Sequence, residues 1–350
     1  MLRRERGKIL TIDAIRGNTA EVTVYVGDGI AKAMVFTDLT GSVTPGDEVL
    51  LNTTAVNKKL GTGGYHYVMA NLSTPESEEA ETVGHIVKCR YTPVQHTVLS
   101  AEEEDSPHRS LFENFESLNG MPVVAGQLHS QLAPAAAGAK IFGKKVCYVM
   151  TDTAALSMGF SKQVASLKEA GLLDSTITCG QSFGGDYETV NVYTAMIMAA
   201  EVADAAVVIP GPGNAGTGTK YGFSSIEQGN ILNAAMLLGG TPVALPRVSF
   251  ADKRPRHRGV SHHSVTTLGE IAKEGCFVPL PEYLRGKLDV SAIEKKHKIE
   301  YIPGGVIDEA VAILADAGIK LRTMGRNYGE DKELFDTAAA AGVFAGRYGA

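Results

Sequence analysis

The chain has 350 residues, a formal charge of -6, 44% hydrophobic and 21% charged residues. This is the balance of a globular chain with room for two domains, and it excludes disorder, because the 39 glycines punctuate intact apolar runs. The opening MLRRERGKIL has no apolar core of a secretory signal, and AMIMAAEVADAAVVIP is broken by Glu201 and Asp204. A cytoplasmic chain with no membrane partner is therefore expected. Cys89, Cys147, Cys179 and Cys276 have no C-x-x-C spacing and read as reduced, mostly buried thiols.

Residues 7 to about 72 carry five short β-rich runs: GKILTIDAI, AEVTVYV, AKAMVFTDL, DEVLLNTTAV and YHYVMANL. Turn signals (RGN, GDG, GSVTPGD, GTGG) separate them, and Val22, Val24 and Val26 alternate as on a strand with one buried face. Five strands in so short a stretch predict a small barrel over residues 1–82. STPESEEAET reads as the linker. A second acidic run, AEEEDSPH, follows at 101–108, and GHIVKCRYTPVQHTVL between them could join either side. The division thus falls somewhere in 73–120.

From about residue 121 short apolar runs alternate with helical patterns. The strand-like runs are MPVVAGQ, KVCYVM, STITC, DAAVVIP, TPVALP, CFVPL, IEYIP and IKLRTMG. Ser161 and Gly171 mark the start and stop of one intervening helix. The alternation predicts an α/β fold over 83–350: a mainly parallel, doubly wound sheet with helices on both faces.

Parallel sheets bind ligands at the carboxyl ends of their strands, so loops that follow strands are the ones to search. Five stand out: LHSQ with His129, TDTAALS with Asp152, GQSFGGDYE with Asp186 and Glu188, GPGNAGTGTKYGF, and DKRPRHRGVSHHS. GPGNAG fits G-x-G-x-x-G, but Thr217 to Gly222 intervene before the helix and the next acid after a strand, Asp252, is too distant for a ribose contact. Gly218-Thr219-Lys220 reverses the Lys and Thr of a P-loop. What remains is an anion cradle of backbone N–H and hydroxyl donors from Gly211, Gly213, Gly216, Thr217, Gly218 and Thr219, against the alternative of a flexible surface loop.

Asp186 and Glu188 stand where a helix should begin, as caps or as a general base or metal ligand; Asp152, at a strand tip, is the stronger candidate. No zinc spacing is present: His262 and His263 are adjacent and diverge by about a third of a turn on a helix, so a metal would need His129 or Asp152 from other loops. The stretch from Asp252 to Ser264 holds Lys253, Arg254, Arg256 and Arg258 with His257, His262 and His263. On an open surface such a cluster costs little; in a cleft it needs a counter-anion or acidic partners. Its place after a strand favours the cleft, with a solvated loop or a subunit contact in a homo-oligomer as the alternative.

The expected function is an enzyme or binding protein for a small anionic ligand, a phosphorylated metabolite or nucleotide among the options. Arg256 and Arg258 would clamp its oxygens, and Asp152 or Asp186 with His129, His257 or His262 would handle protons or a divalent metal. No cofactor is specified. A nucleic-acid reader is disfavoured, since residues 1–80 carry eight Lys/Arg against ten Asp/Glu. A scaffold role for the barrel is the third reading. The order GTGGYHYV, GHIVKCRYTP, TITCGQSFGGDYETVN, GPGNAGTGTKYGFSSIEQG and SFADKRPRHRGVSHHS resembles an uncharacterised bacterial family known only as a domain of unknown function, DUF3866. The resemblance spans nearly the whole chain and implies no activity, cofactor or catalytic residue.

Overall fold

The computed structural model describes residues 2–60, 63–74, 84–153 and 157–348. The expected linker lies mostly outside them. The chain divides into two compact units, Met1–Asp105 and Ser106–Ala350.

In the first unit the five expected runs are strands β1 (Arg4–Arg16), β2 (Thr19–Val26), β3 (Gly29–Phe36), β4 (Glu48–Asn52) and β5 (Tyr65–Asn71), with one-turn helices α1 (Thr37–Thr40) and α2 (Thr54–Asn57) between them. They close into a barrel in the order β1-β2-β3-β5-β4. Register shifts at Ile9/Thr11 and Ile12/Ala14 bend β1 so that it pairs with both β2 and β4. Val22 and Val24 are fully buried beside Ile9, Val49 and Leu51, while Val26 at the strand end is only partly covered. GHIVKCRYTPVQHTVL supplies a separate antiparallel pair, β6 (Ile86–Lys88) and β7 (His96–Val98).

The second unit runs α3 (Arg109–Glu113), β8 (Pro122–Ala125), α4 (Leu132–Lys140), β9 (Val146–Thr151), α5 (Lys162–Glu169), β10 (Ser175–Cys179), β11 (Tyr187–Thr189), α6 (Val192–Val202), β12 (Ala205–Pro210), α7 (Glu227–Leu237) and β13 (Thr241–Ala244). The minor pair β14 (Val248–Ser249) and β15 (Gly259–Val260) leads to α8 (His262–Thr266), β16 (Phe277–Pro281), α9 (Ser291–Glu294), β17 (Lys298–Ile302), α10 (Gly304–Asp316), β18 (Arg322–Thr323), β19 (Arg326–Asn327) and α11 (Lys332–Tyr348). Eight strands form one parallel sheet in the order β11-β10-β9-β12-β8-β13-β16-β17. β9 and β12 are buried along their whole length, as strands covered on both faces must be. Tyr148, Met150, Val207 and Ile209 pack with α4, α5, α10 and α11 on one face. The alternate residues of β9 and β12 point to the other face, where α6 packs on these two strands and α7 on β8 and β13.

Two expected elements differ. GGDYE does not open a helix. Tyr187–Thr189 pairs with β10 as an edge strand, and α6 starts later, where Asn191 Oδ1 accepts from the Tyr193 and Thr194 N–H groups. IKLRTMG is not a core strand, because Lys320 and Arg322 would be buried on a covered sheet. Instead Arg322–Thr323 folds back on Arg326–Asn327 through Met324 and Gly325, both left-handed (φ 46° and 81°), as a tight two-residue hairpin requires.

Among the described residues no helix is long and apolar enough to cross a membrane. All four cysteines are buried, and none forms a disulfide among the described residues.

Candidate functional site

Chain order and strand order together locate the site. From β8 the chain builds β9, β10 and β11 on one side, returns to place β12 between β9 and β8, then lays β13, β16 and β17 on the other side. The direction of winding reverses around β12, β8 and β13, and a crevice opens at such a reversal. A cleft of about 370 Å³ lies there. It is lined by Gln127 to Ser130 after β8, by Gly211 to Gly216 after β12, by Arg247, Arg254, His257 and His263 after β13, and by Arg322 to Met324 of the β18–β19 turn.

The stretch DKRPRHRGVSHHS runs from a hairpin tip through β15 into the first turn of α8. β14 pairs with β15, and the tip between them includes a tight turn at Pro255–His257. Its charges and its histidines part company. Lys253, Arg254, Arg256 and Arg258 are exposed, whereas His257 and His263 are buried and His262 is half-buried. Asp252 is buried and takes two guanidiniums: Arg247 Nη2 at 2.6 Å and Arg254 Nη2 at 3.0 Å, with Arg254 Nε also 3.0 Å from its other oxygen. Arg247 is itself only 3% exposed, and its Nε is buried without a hydrogen-bond partner.

The start of α8 is pinned at several points. Ser261 caps it, its Oγ accepting the His263 N–H at 3.3 Å and lying 2.8 Å from His257 Nδ1. Ser264 Oγ accepts the Arg247 N–H (2.8 Å) and donates to Gln127 Oε1 (2.8 Å), tying the helix to the loop after β8. Phe223 stacks on the His263 ring at 3.9 Å and 7°. Burial first, then the charge of Arg247 and Arg254, pushes His257 down to about 3; burial and the neighbouring His262 push His263 down to about 4. His262 is lowered by burial and Arg256. All three imidazoles are therefore neutral at pH 7, with lone pairs available.

The other expected residues are dispersed. His129 lines the cleft, but Nε2 is 2.6 Å from Ser161 Oγ and Nδ1 is 3.3 Å from the Tyr148 hydroxyl; burial holds it neutral, down to about 4. With both ring nitrogens engaged it forms wall. Asp186, just before β11, is bound by Lys168 Nζ of α5 (2.7 Å) and by the Thr176 N–H and hydroxyl of β10 (each 2.9 Å), away from the cleft. Asp152 is exposed and accepts the Gln181 N–H at 2.8 Å; it too lies outside the lining, because β12 stands between β9 and β8. Gly211, Gly213 and Gly216 do line the cleft. Thr217, Gly218 and Thr219 belong to a self-contained turn in which Thr217 Oγ1 donates to Gly222 O and contacts Thr219 Oγ1. Arg256 packs beside Gly218 and Arg258 is exposed; neither is among the residues lining the cleft, whereas Arg254 and Arg247 are.

Sequence reasoning missed Arg247, His263 as a cleft residue, and Glu227. Arg247 directly follows TPVALP, a signal available but read as strand end. Glu227 opens α7 and accepts Thr151 Oγ1 (2.5 Å) and Thr153 Oγ1 (3.1 Å). Burial pushes its carboxyl up to about 7, against the two threonine hydroxyls. A raised folded-state value contributes stability that is complete below the usual carboxylate value and lost as pH rises through about 7. Glu227→Gln should therefore flatten the fall in stability between pH 4.5 and pH 7, an effect on the order of 2–3 kcal/mol. Melting temperature against pH for the two proteins checks it; parallel curves would refute it.

A family model described as a protein of unknown function (DUF3866) matches residues 32–342. No curated protein matches the chain.

Proposed function

The chain belongs to the DUF3866 family, and since that family's description assigns no activity, we propose a function from the cleft itself: it binds a small anionic ligand carrying phosphate or carboxylate groups. The observation that carries this reading is the charge balance at the wall. Arg247 and Arg254 share one carboxylate, Asp252, which leaves one formal positive charge uncompensated beside the cleft. A partly desolvated guanidinium is a strong site for a charge-assisted hydrogen bond to an oxyanion. Arg322 adds a further cation to the lining, and the loop from Gly211 to Gly216 brings backbone N–H groups with little side-chain obstruction. A volume of about 370 Å³ suits a metabolite rather than a polymer.

Thermal-shift titration with inorganic phosphate, pyrophosphate and small carboxylates tests this. A ligand at 100 times its Kd should add about 2.7 kcal/mol of stability. Arg254→Ala, which leaves the buried Arg247–Asp252 pair intact, should weaken the best anion by roughly 10- to 100-fold. No stabilisation by any of these anions, or equal stabilisation of the variant, would end the reading.

A further inference from the structure

We propose that His257, His262 and His263 form a three-imidazole site for a divalent transition metal of the zinc type, whose remaining coordination position is taken by the anionic ligand of the cleft. The identity of that fourth ligand rests on the anion-binding reading; the metal site does not.

One nitrogen from each of the three rings lies within 4.8 Å of the other two. Ring centroids are 4.3 to 5.0 Å apart. A tetrahedral ion with bonds of about 2.0–2.1 Å sets its ligand nitrogens about 3.4 Å apart, so ring rotations of the order of an ångström complete the site. Adjacent His262 and His263 diverge on a helix, but the third ring comes from the tight turn at Pro255–His257, which the β14–β15 hairpin folds back over the first turn of α8. Three ligands from the seven-residue stretch His257 to His263 need no contribution from His129 or Asp152.

Two further observations point to a ligand. His262 Nε2 and His263 Nδ1 are buried with no hydrogen-bond partner, and His263 is only 6% exposed. Histidines that serve merely as packing in a core satisfy their nitrogens; each orphan costs about 1–3 kcal/mol. A metal ion would satisfy both. His257 has the outer hydrogen bond that metal-ligating histidines carry: with Nδ1 held by Ser261 Oγ at 2.8 Å, Nε2 is the free nitrogen. Beyond α8 the helix widens into a π-turn at Thr267–Ile271, a distortion frequent at functional sites.

Imidazole-only ligation suits zinc, cobalt, nickel or copper ions and not magnesium or calcium, which take oxygen. Arg247 and Arg254, close to these rings, repel a bare dication. An ion that carries an oxyanion as fourth ligand removes that repulsion, and the oxyanion can bridge to Arg254.

The experiment uses the full chain, stripped with a chelator and titrated with Co²⁺ alone. One Co²⁺ per chain should bind, with visible d–d bands that Zn²⁺ abolishes. His262→Ala and His263→Gln should each lower Co²⁺ affinity by roughly 100-fold or more, with unchanged far-ultraviolet circular dichroism. No Co²⁺ uptake, or bands that persist in both variants, overturns the metal site whatever phosphate does. Inorganic phosphate added to the Co²⁺ protein should shift the bands, at higher concentration in Arg254→Ala. Unmoved bands with Co²⁺ still held by the histidines overturn the anionic fourth ligand instead.

Discussion

Asp252→Asn should destabilise the second unit by about 3–5 kcal/mol, the range found when one partner of a buried ion pair is removed. The side chains of Asp252 and Arg247 are 3% and 4% exposed and meet at 2.6 Å. Without the carboxylate, Arg247 keeps its charge in a site where burial already lowers its pKa to about 10. Arg254 loses its partner as well, and two guanidiniums then repel across the hairpin tip. Burial alone would raise the Asp252 carboxyl, but the hydrogen bonds from Arg254 and the charge of Arg247 outweigh it and hold the group well below the usual carboxylate range. A depressed value contributes stability present above the unfolded-state value and lost as pH falls through the folded one. The wild-type protein should accordingly lose that part of its stability progressively as pH falls below the ordinary carboxylate value of 3.8, and Asp252→Asn should lack that component. Urea denaturation followed by circular dichroism at pH 7 and pH 3 measures both effects. Asp252→Asn combined with Arg247→Met should recover much of the loss, because the unpaired buried charge is then gone. A single variant as stable as wild type would mean that water reaches Arg247.

The parts legible in the sequence are those governed by local pattern. Alternation in AEVTVYV and the four neighbouring runs gave the barrel strands, and apolar runs alternating with helical patterns gave the parallel sheet. Which loops meet is not a local property. Asp152 and the glycine loop both follow core strands, yet β12 separates β9 from β8, and strand order depends on pairings between residues far apart in sequence. The edge strand Tyr187–Thr189 was hidden because its run is too short for a period to register. The basic stretch was legible as a cluster but not as two populations. Its arginines are exposed, Arg254 at the cleft, while its histidines are buried or half-buried, and that split depends on the β14–β15 hairpin and the Ser261 cap rather than on composition. Asp186 and Glu188 illustrate the converse: acids in a strand-to-helix loop read as chemistry, while Asp186 is consumed by Lys168 and Thr176 and Glu188 accepts the Gly184 N–H at 2.6 Å.

Gly342→Ala should destabilise the second unit by about 3 kcal/mol or more, although a glycine-to-alanine change inside a helix ordinarily stabilises it by up to about 1 kcal/mol. The reversal of sign comes from the crossing of α4 and α11. LAPAAAGAK and TAAAAGVFAG present small residues to one another, and the helix backbones approach closely. A Cβ at Gly342 would overlap the carbonyl of Ala135, and one at Gly138 would overlap the Ala339 carbonyl oxygen and lie 2.6 Å from the Val343 nitrogen. These obstacles are backbone and cannot rotate away, so one helix must shift. Residues Leu334 to Gly346 of α11 are all buried, which leaves no free side for that movement. Gly305→Ala, in the first turn of α10 with open space around its added methyl, is the matched control and should leave stability unchanged or higher. Equal effects of the two substitutions would mean that the close approach does not constrain the fold. The consequence reaches the cleft: α4 packs on β9 and β12, and α11 on β8 and β13, so a helix displaced at this crossing disturbs the strands whose carboxyl ends carry the glycine loop and the arginine–histidine hairpin. Gly342→Ala should therefore also weaken anion and Co²⁺ binding, at a position that touches neither.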